Sequence, residues 1–321
     1  MNAPTLPGLP RTVLRLHRPA LIVWSAFVAA LTGWLVWLNT VTSRAGERER
    51  LYCDHHETCN ILHWLDYGQR TALVAALVCY SFLGVAAWAA AALIGRELES
   101  GTARLAWTQG VSPVRWLAAQ LAVPALLLTL GSTALVLVYR RGWNAHPALR
   151  DGAWTSAATF VARGPAAVAY ALCALAVGTL AAFLLRRALP ALGVSVAAMG
   201  ALVFLMERLR PHLWPTVTRV TTTEGLLPRH AWQTGAGTIR DGHRVPYHGL
   251  SPCEGNPAQV KSCADRLGID GYYLTYHPQS HYWPLHLVES GIVLAVAALA
   301  AVLAFRHLPR GGRPVRKGSP A

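Results

Sequence analysis

"RELESGTARLAWTQGVSPVRW" (residues 96–116) lies between two long apolar stretches. It carries five charged residues, a central Gly101 and two tryptophans, more than a bare connector needs. The flanking stretches, Thr71–Ile94 and Leu117–Tyr139, each hold ~20 mostly apolar residues, enough to cross a ~30 Å hydrocarbon core. Four more stretches of that kind follow the same rule: Pro19–Val41, Pro165–Leu185, Ala188–Met206 and Leu285–Phe305. Charged residues make up only 14% of the 321-residue chain, against about one quarter in a soluble domain. The expected fold is therefore an all-α integral membrane protein of six spans, read as one domain over residues 1–321. The first span is too long for a signal-peptide core and is expected to be retained.

Charge and cysteine position give the orientation. With both termini in the cytoplasm, the inner segments hold 13 Lys/Arg and the two short outer loops eight, while loop 207–284 is too long to count. Arg11, Arg15 and Arg18 share a helical face, which predicts an interfacial helix before the first span. Cys53, Cys59, Cys253 and Cys263 all fall in the segments then placed outside, 42–70 and 207–284, where disulfides persist. Four cysteines allow three pairings, of which Cys53–Cys59 with Cys253–Cys263 is the most local. The expected location is the plasma membrane, multi-pass, with residues 95–116 cytoplasmic.

The net charge of +14 does not imply nucleic acid. The inner arginines flank spans, where they meet anionic headgroups, and no basic stripe with interleaved aromatics exists. A P-loop needs Gly-Lys-Ser/Thr, and neither Lys261 nor Lys317 follows a glycine, so no ATPase site is expected within the chain. "CDHHETC" (53–59) offers zinc-ligand types at the wrong spacing for a finger, and Asn60 stands where a zinc-protease signature needs histidine. No metal site and no catalytic residue are expected. Ten of the 13 histidines lie in outer segments, without a nucleophile–base pair.

Glu289 is the acid placed well inside a span, a costly position that suggests either structural pairing or a transport path. His286, three residues earlier on the same helical face, is its nearest sequence partner. In the fifth span Gly193, Ala197 and Ala201 recur at four-residue spacing, which permits close helix packing. Within 207–284, Asn256 as cap, Pro257 at the first helical position and Gly268 as stop predict a short helix, with Cys263 turned towards packing. The tyrosines and Trp283 of "YYLTYHPQSHYWPLHLVESG" (272–291) suit a headgroup interface.

In residues 96–116, Glu97 and Glu99 fall in a final helical turn, where each carboxylate opposes the dipole by ~0.3–1 kcal/mol. Either Arg96 or Arg104 compensates, or the helix continues past Gly101. Ser112 is placed to cap a new helix with Pro113 at its first position, and Pro124 to kink it. Between them an amphipathic piece is expected to lay Leu105, Trp107 and Trp116 in the headgroup region, with Arg104, Gln109 and Arg115 facing the cytoplasm.

These residues carry a resemblance. Glu97-Leu98-Glu99-Ser100-Gly101-Thr102, then Arg104-Leu105, Thr108-Gln109, Val111-Ser112 and Arg115-Trp116, resemble the coupling segment of permease subunits of type-2 ATP-binding-cassette exporters, closest to the actinobacterial branch. Tyr276, Pro278, Ser280, Trp283, Pro284 and Glu289 are similar to that branch too. Pro113 and His281 depart from it, where relatives carry basic residues. The resemblance implies a membrane-spanning exporter subunit that binds no cofactor itself and pairs with a second permease chain, as homodimer or heterodimer. It further implies a separate ATP-binding subunit docking on a coupling helix between the second and third spans, at Glu97, Glu99, Gly101, Thr102, Arg104, Gln109 and Arg115. A non-transporting membrane sensor or scaffold with a disulfide-bonded outer domain is the competing reading.

Overall fold

The computed structural model describes residues 15, 17–56, 58–109, 111–149, 154–222, 227–228, 230–247, 253 and 256–308. In chain order the helices are α1 (Arg18–Cys53), α2 (Leu62–Glu99), α3 (Thr102–Thr108), α4 (Pro113–Ala145), α5 (Ala157–Ala162), α6 (Ala166–Leu185), α7 (Ala188–His212), α8 (Pro257–Arg266) and α9 (Gln279–Arg306). Six of them, α1, α2, α4, α6, α7 and α9, are long and apolar enough to cross a membrane. Each contains one expected span or all but its first residue.

Hydropathy reports apolar length, not helical length, and the two differ most at the start of the chain. At 1.5 Å per residue, α1 and α2 reach ~54–57 Å, well beyond a ~30 Å core. Residues 42–70, read from sequence as a loop, are thus helical on both sides of a short connector closed by the Cys53–Cys59 disulfide. Each long helix also contains a π-helical stretch, Leu38–Thr42 in α1 and Ala89–Gly95 in α2. Arg11 and the rest of the expected interfacial helix before Arg15 lie outside the described residues.

The chain divides into two compact units. The first comprises residues 1–150, 157–205 and 290–321. At its centre is α6, apolar on every side, with Ala169, Tyr170, Cys173, Ala174 and Ala182 all buried. Its small residues let α2 approach closely: a Cβ on Gly178 would lie 2.6 Å from the Ala86 carbonyl oxygen and 2.9 Å from Ala89 Cβ. On the other flank α1 packs on α4, where the Trp24 indole donates to the Leu127 carbonyl (3.2 Å). The α6–α7 connection is the expected two-residue hairpin, made by Arg186 in the left-handed region (φ +52°) and Arg187. In α7 the small-residue series Gly193, Ala197 and Ala201 is exposed, and a Cβ at Gly193 would meet nothing within 4 Å among the described residues. The inward face is Ala191, Ser195 and Met199, and Ser195 donates to the Ala86 carbonyl (3.2 Å).

The second unit, residues 151–156 and 206–289, corrects the all-α reading. It holds a four-stranded antiparallel sheet of order β1-β4-β2-β3, formed by β1 (Val217–Thr221), β2 (Trp232–Arg240), β3 (His243–Pro246) and β4 (Gly271–His277). Asp241 and Gly242, both at positive φ (+48° and +75°), close the β2–β3 hairpin. An Asp-Gly pair between β-branched runs is a strong hairpin signal, because a two-residue turn of that hand matches strand twist. Of the four tyrosines expected at a headgroup interface, Tyr272, Tyr273 and Tyr276 belong instead to β4, with Tyr272 buried, and Tyr282 lies in α9. Tyr, Thr and Leu in "GYYLTYH" suit a pleated half-buried surface as well as they suit an interface.

Sequence expectations do hold for α8. Asn256 accepts from the Gln259 amide and Gln259 accepts from the Asn256 amide (both 3.0 Å), Pro257 opens the helix, and Gly268 follows its end at φ +62°. Cys263 is bonded to buried Cys253, the local pairing. In the same unit, Trp154 is buried, donates to the His230 carbonyl (2.6 Å) and meets Trp232 and Tyr282 edge to face.

Candidate functional site

Residues 96–116 break where glycine permits it. Helix α2 ends at Glu99, and Gly101 adopts φ +76° and ψ 3°, a left-handed turn that costs a residue with a Cβ ~1–2 kcal/mol. The Thr102 hydroxyl donates to the Glu97 carbonyl (3.3 Å) and lies 3.0 Å from the Ser100 hydroxyl, which fixes the turn. After α3, Ser112 caps α4 by accepting from the Arg115 amide, with Pro113 at the first helical position. Two surface expectations change. Trp116 is buried and Trp107 half-buried, the two rings packing edge to face at 5.7 Å, so these indoles hold α3 against α4 instead of facing headgroups.

The acidic pair is stabilised by groups that spacing along the sequence does not bring near. The Gln120 side-chain amide donates to Glu97 Oε1 (3.0 Å), and its oxygen lies 3.1 Å from His17 Nε2. A carboxylate only accepts, so it fixes the amide with nitrogen towards Glu97 and oxygen towards His17. His17 Nε2 must then carry a proton. Both Gln120 and His17 are buried, and the imidazole stands edge-on to Trp88. Burial lowers the pKa of His17 and its hydrogen bond to Gln120 opposes that shift in part.

Glu99 has a different partner. Its Oε2 accepts from the Ala188 amide (3.1 Å) at the first residue of α7. A helix N-terminus carries unpaired N–H groups and partial positive charge, so a carboxylate there is favourable by ~0.3–1 kcal/mol. The unfavourable place of Glu99 at the end of α2 is thereby offset at the start of α7. The compensation expected from Arg96 or Arg104 comes from an amide and a helix terminus.

Glu97 is half-buried, whereas Glu99 stays exposed while bound to α7, and the exposed surface of the segment also includes Arg96, Thr102, Arg104, Leu105, Gln109 and Arg115, with Leu105 59% exposed. Beside it opens a cavity of about 790 Å³ lined by His17, Trp88, Arg96, Glu97, Glu99 and Thr102. An apolar cleft of about 530 Å³, lined by Trp24, Phe27, Val85, Trp88, Leu127 and Leu128, lies between α1, α2 and α4.

The acid of the last span is held elsewhere. Glu289 forms a two-pronged ion pair with Arg210, Nε to Oε2 at 2.7 Å and Nη2 to Oε1 at 2.9 Å, and both side chains are buried. His286 is buried too, with its ring 4.6 Å from that of Tyr282. Sequence reasoning missed Arg210, His17 and Gln120. The signals were present: an acid within a span needs a base, and Gln120 is a polar residue within the expected third span. Cys53, Cys59, Cys253 and Cys263 are all in disulfides and are not ligands.

Comparison with known proteins gives one family. Residues 25–210, more than half of the chain, match the family described as ABC-2 membrane transporter related. That match takes in α2, α3 and α4 with the whole of segment 96–116. No curated protein and no solved structure matches.

Proposed function

Since the chain belongs to the ABC-2 membrane transporter related family, a group of membrane transport permeases, we propose that it is the membrane-spanning subunit of an ATP-driven exporter. In this reading it lies in the plasma membrane with both termini cytoplasmic, binds no nucleotide itself, and works with a separate ATP-hydrolysing subunit and a second permease chain. Its likeness to the actinobacterial branch rests on the runs at 97–116 and 276–289.

The observation that carries the reading is the binding of segment 96–116 to three other parts of the first unit. Glu97 is tied through Gln120 to α4 and to His17 ahead of α1, while Glu99 is tied to the start of α7. A partner gripping the exposed face of Arg104, Leu105, Gln109 and Arg115 would pull on these helices together. Rigid elements joined by hydrogen bonds transmit such a displacement, which a free loop would absorb. Gly101 sets the angle at which α3 presents that face. In this mechanism the two glutamates are positioning residues, and the basic and polar residues of α3 and the start of α4 make the contact.

Co-purification of the chain with a subunit carrying Gly-x4-Gly-Lys-Ser/Thr, and stimulation of its ATP hydrolysis, tests the proposal. Reversing both charges (Glu97→Lys with Glu99→Lys) is expected to abolish stimulation while the subunits still associate. Wild-type hydrolysis and transport in that variant would sink the coupling role.

A further inference from the structure

We propose that His277 and His281, in the second unit, form an exchangeable site for a nitrogen-preferring divalent transition metal ion such as Zn²⁺ or Cu²⁺. The two residues stand at the end of β4 and the start of α9, separated by Pro278, Gln279 and Ser280. Their Nδ1 atoms lie 3.1 Å apart. Two nitrogens bound to one ion at ~2.0–2.1 Å are ~2.9 Å apart at a right angle and ~3.4 Å apart in tetrahedral coordination. The observed spacing falls between these values, so both nitrogens reach one ion once the rings turn their Nδ1 lone pairs from each other towards a common point.

The surroundings of His277 resemble those of a metal-binding histidine. Its ring is fully buried, and Nε2 lies 3.0 Å from the Pro211 carbonyl oxygen. A carbonyl only accepts, so Nε2 carries the proton and Nδ1 offers its lone pair towards His281. Donation of the second ring N–H to a backbone carbonyl is the usual device that fixes the tautomer and ring direction of a ligating imidazole. Trp232, with its ring 5.6 Å from that of His277, closes one side. His281 is half-buried and supplies the open side.

Without metal, one proton bridges the pair: His281 Nδ1–H donates to His277 Nδ1. When an ion enters, that proton moves to His281 Nε2, both Nδ1 lone pairs face the ion, and no net proton is released. Two protein ligands leave the other positions to water, which makes the site exchangeable rather than structural. Imidazole nitrogen selects Zn²⁺ and Cu²⁺ over Mg²⁺ and Ca²⁺, which take oxygen. The inference departs from the absence of a metal site expected from sequence, where the histidines were read as solvated. It does not depend on ATP-driven transport.

The test uses the full chain in lipid nanodiscs, titrated with Cu²⁺ and followed by electron paramagnetic resonance. The expected result is saturation at one exchangeable ion with coupling to two imidazole nitrogens, and competition by Zn²⁺ but not by Mg²⁺. His281→Gln, at a half-buried position, keeps the fold, as thermal unfolding would check. It should weaken binding by at least the ~10–100-fold that loss of an outer-shell partner alone costs. His55→Ala with His56→Ala should leave affinity and nitrogen coupling unchanged. Unchanged binding in His281→Gln, or loss of binding only in the His55/His56 variant, would overturn the assignment.

Discussion

Arg210 and Glu289 meet across 79 residues of sequence in a two-pronged ion pair, and neither side chain retains meaningful contact with solvent. Such a pair need not be more stable than an apolar replacement, but its halves are not separable. Removing one partner takes the bidentate ion pair from the other buried charge, and breaking a buried pair in this way costs ~3–5 kcal/mol. Arg210→Met and Glu289→Gln should each lower the unfolding temperature sharply in detergent. The double variant Arg210→Met/Glu289→Leu should recover most of the loss. If the singles and the double unfold alike, the ion pair is not what holds these residues.

His17 gives a pH dependence with a definite sign. Burial lowers its pKa from the ordinary 6.5, so in the window between the folded and unfolded values the unfolded chain binds more protons. Stability from this residue is therefore complete above about pH 6.5 and declines as pH falls through that window. Comparing unfolding temperatures at pH 8 and pH 5.5 should show a smaller difference in His17→Gln than in the wild type. An equal difference in both would place the acid sensitivity elsewhere.

Packing between α2 and α6 depends on the missing side chain at Gly178. A Cβ there would lie 2.6 Å from a backbone carbonyl oxygen, which cannot swing aside as a flexible side chain would. Gly178→Ala should destabilise by about 1–3 kcal/mol, the range of core overpacking, and Gly178→Leu by more. By contrast Gly193→Ala, at an exposed position with open space around its Cβ, should leave stability nearly unchanged. Thermal unfolding of the three variants side by side distinguishes the positions.

These sites also show what a sequence can and cannot convey. The six long helices were legible because each needs ~20 apolar residues, a local property. So were the caps at Ser112 and Asn256 and the breaks at Gly101 and Gly268, since backbone chemistry acts over four residues. Helix beyond the apolar length was not legible, and α1 runs on through the polar "SRAGERERLYC" to Cys53. The sheet was missed although Asp241-Gly242 marked its hairpin, because β1 and β4 pair across 50 intervening residues and the aromatic run of β4 fitted another explanation. The partners of Glu97, Glu99 and Glu289 are 23, 89 and 79 residues away, and only tertiary structure supplies those distances. Sequence identified the glutamates as residues in need of partners; it offered His286 as a possible partner of Glu289, and the fold adds Arg210.

Gly101 is where stability and the proposed mechanism are separable. Its left-handed backbone should make Gly101→Ala unfavourable by ~1–2 kcal/mol locally, a strain relieved by turning α3 relative to α2. That rotation would move Arg104, Leu105 and Gln109 together while leaving the hydrogen bonds of Glu97 and Glu99 to Gln120 and Ala188 largely in place. The expected outcome is a small fall in unfolding temperature with a disproportionate loss of stimulated ATP hydrolysis by the partner subunit. Gly101→Asn, with a residue that tolerates the left-handed region better, should restore part of the stimulation. Equal losses in the alanine and asparagine variants would mean that side-chain bulk at 101, and not the backbone turn, sets the contact.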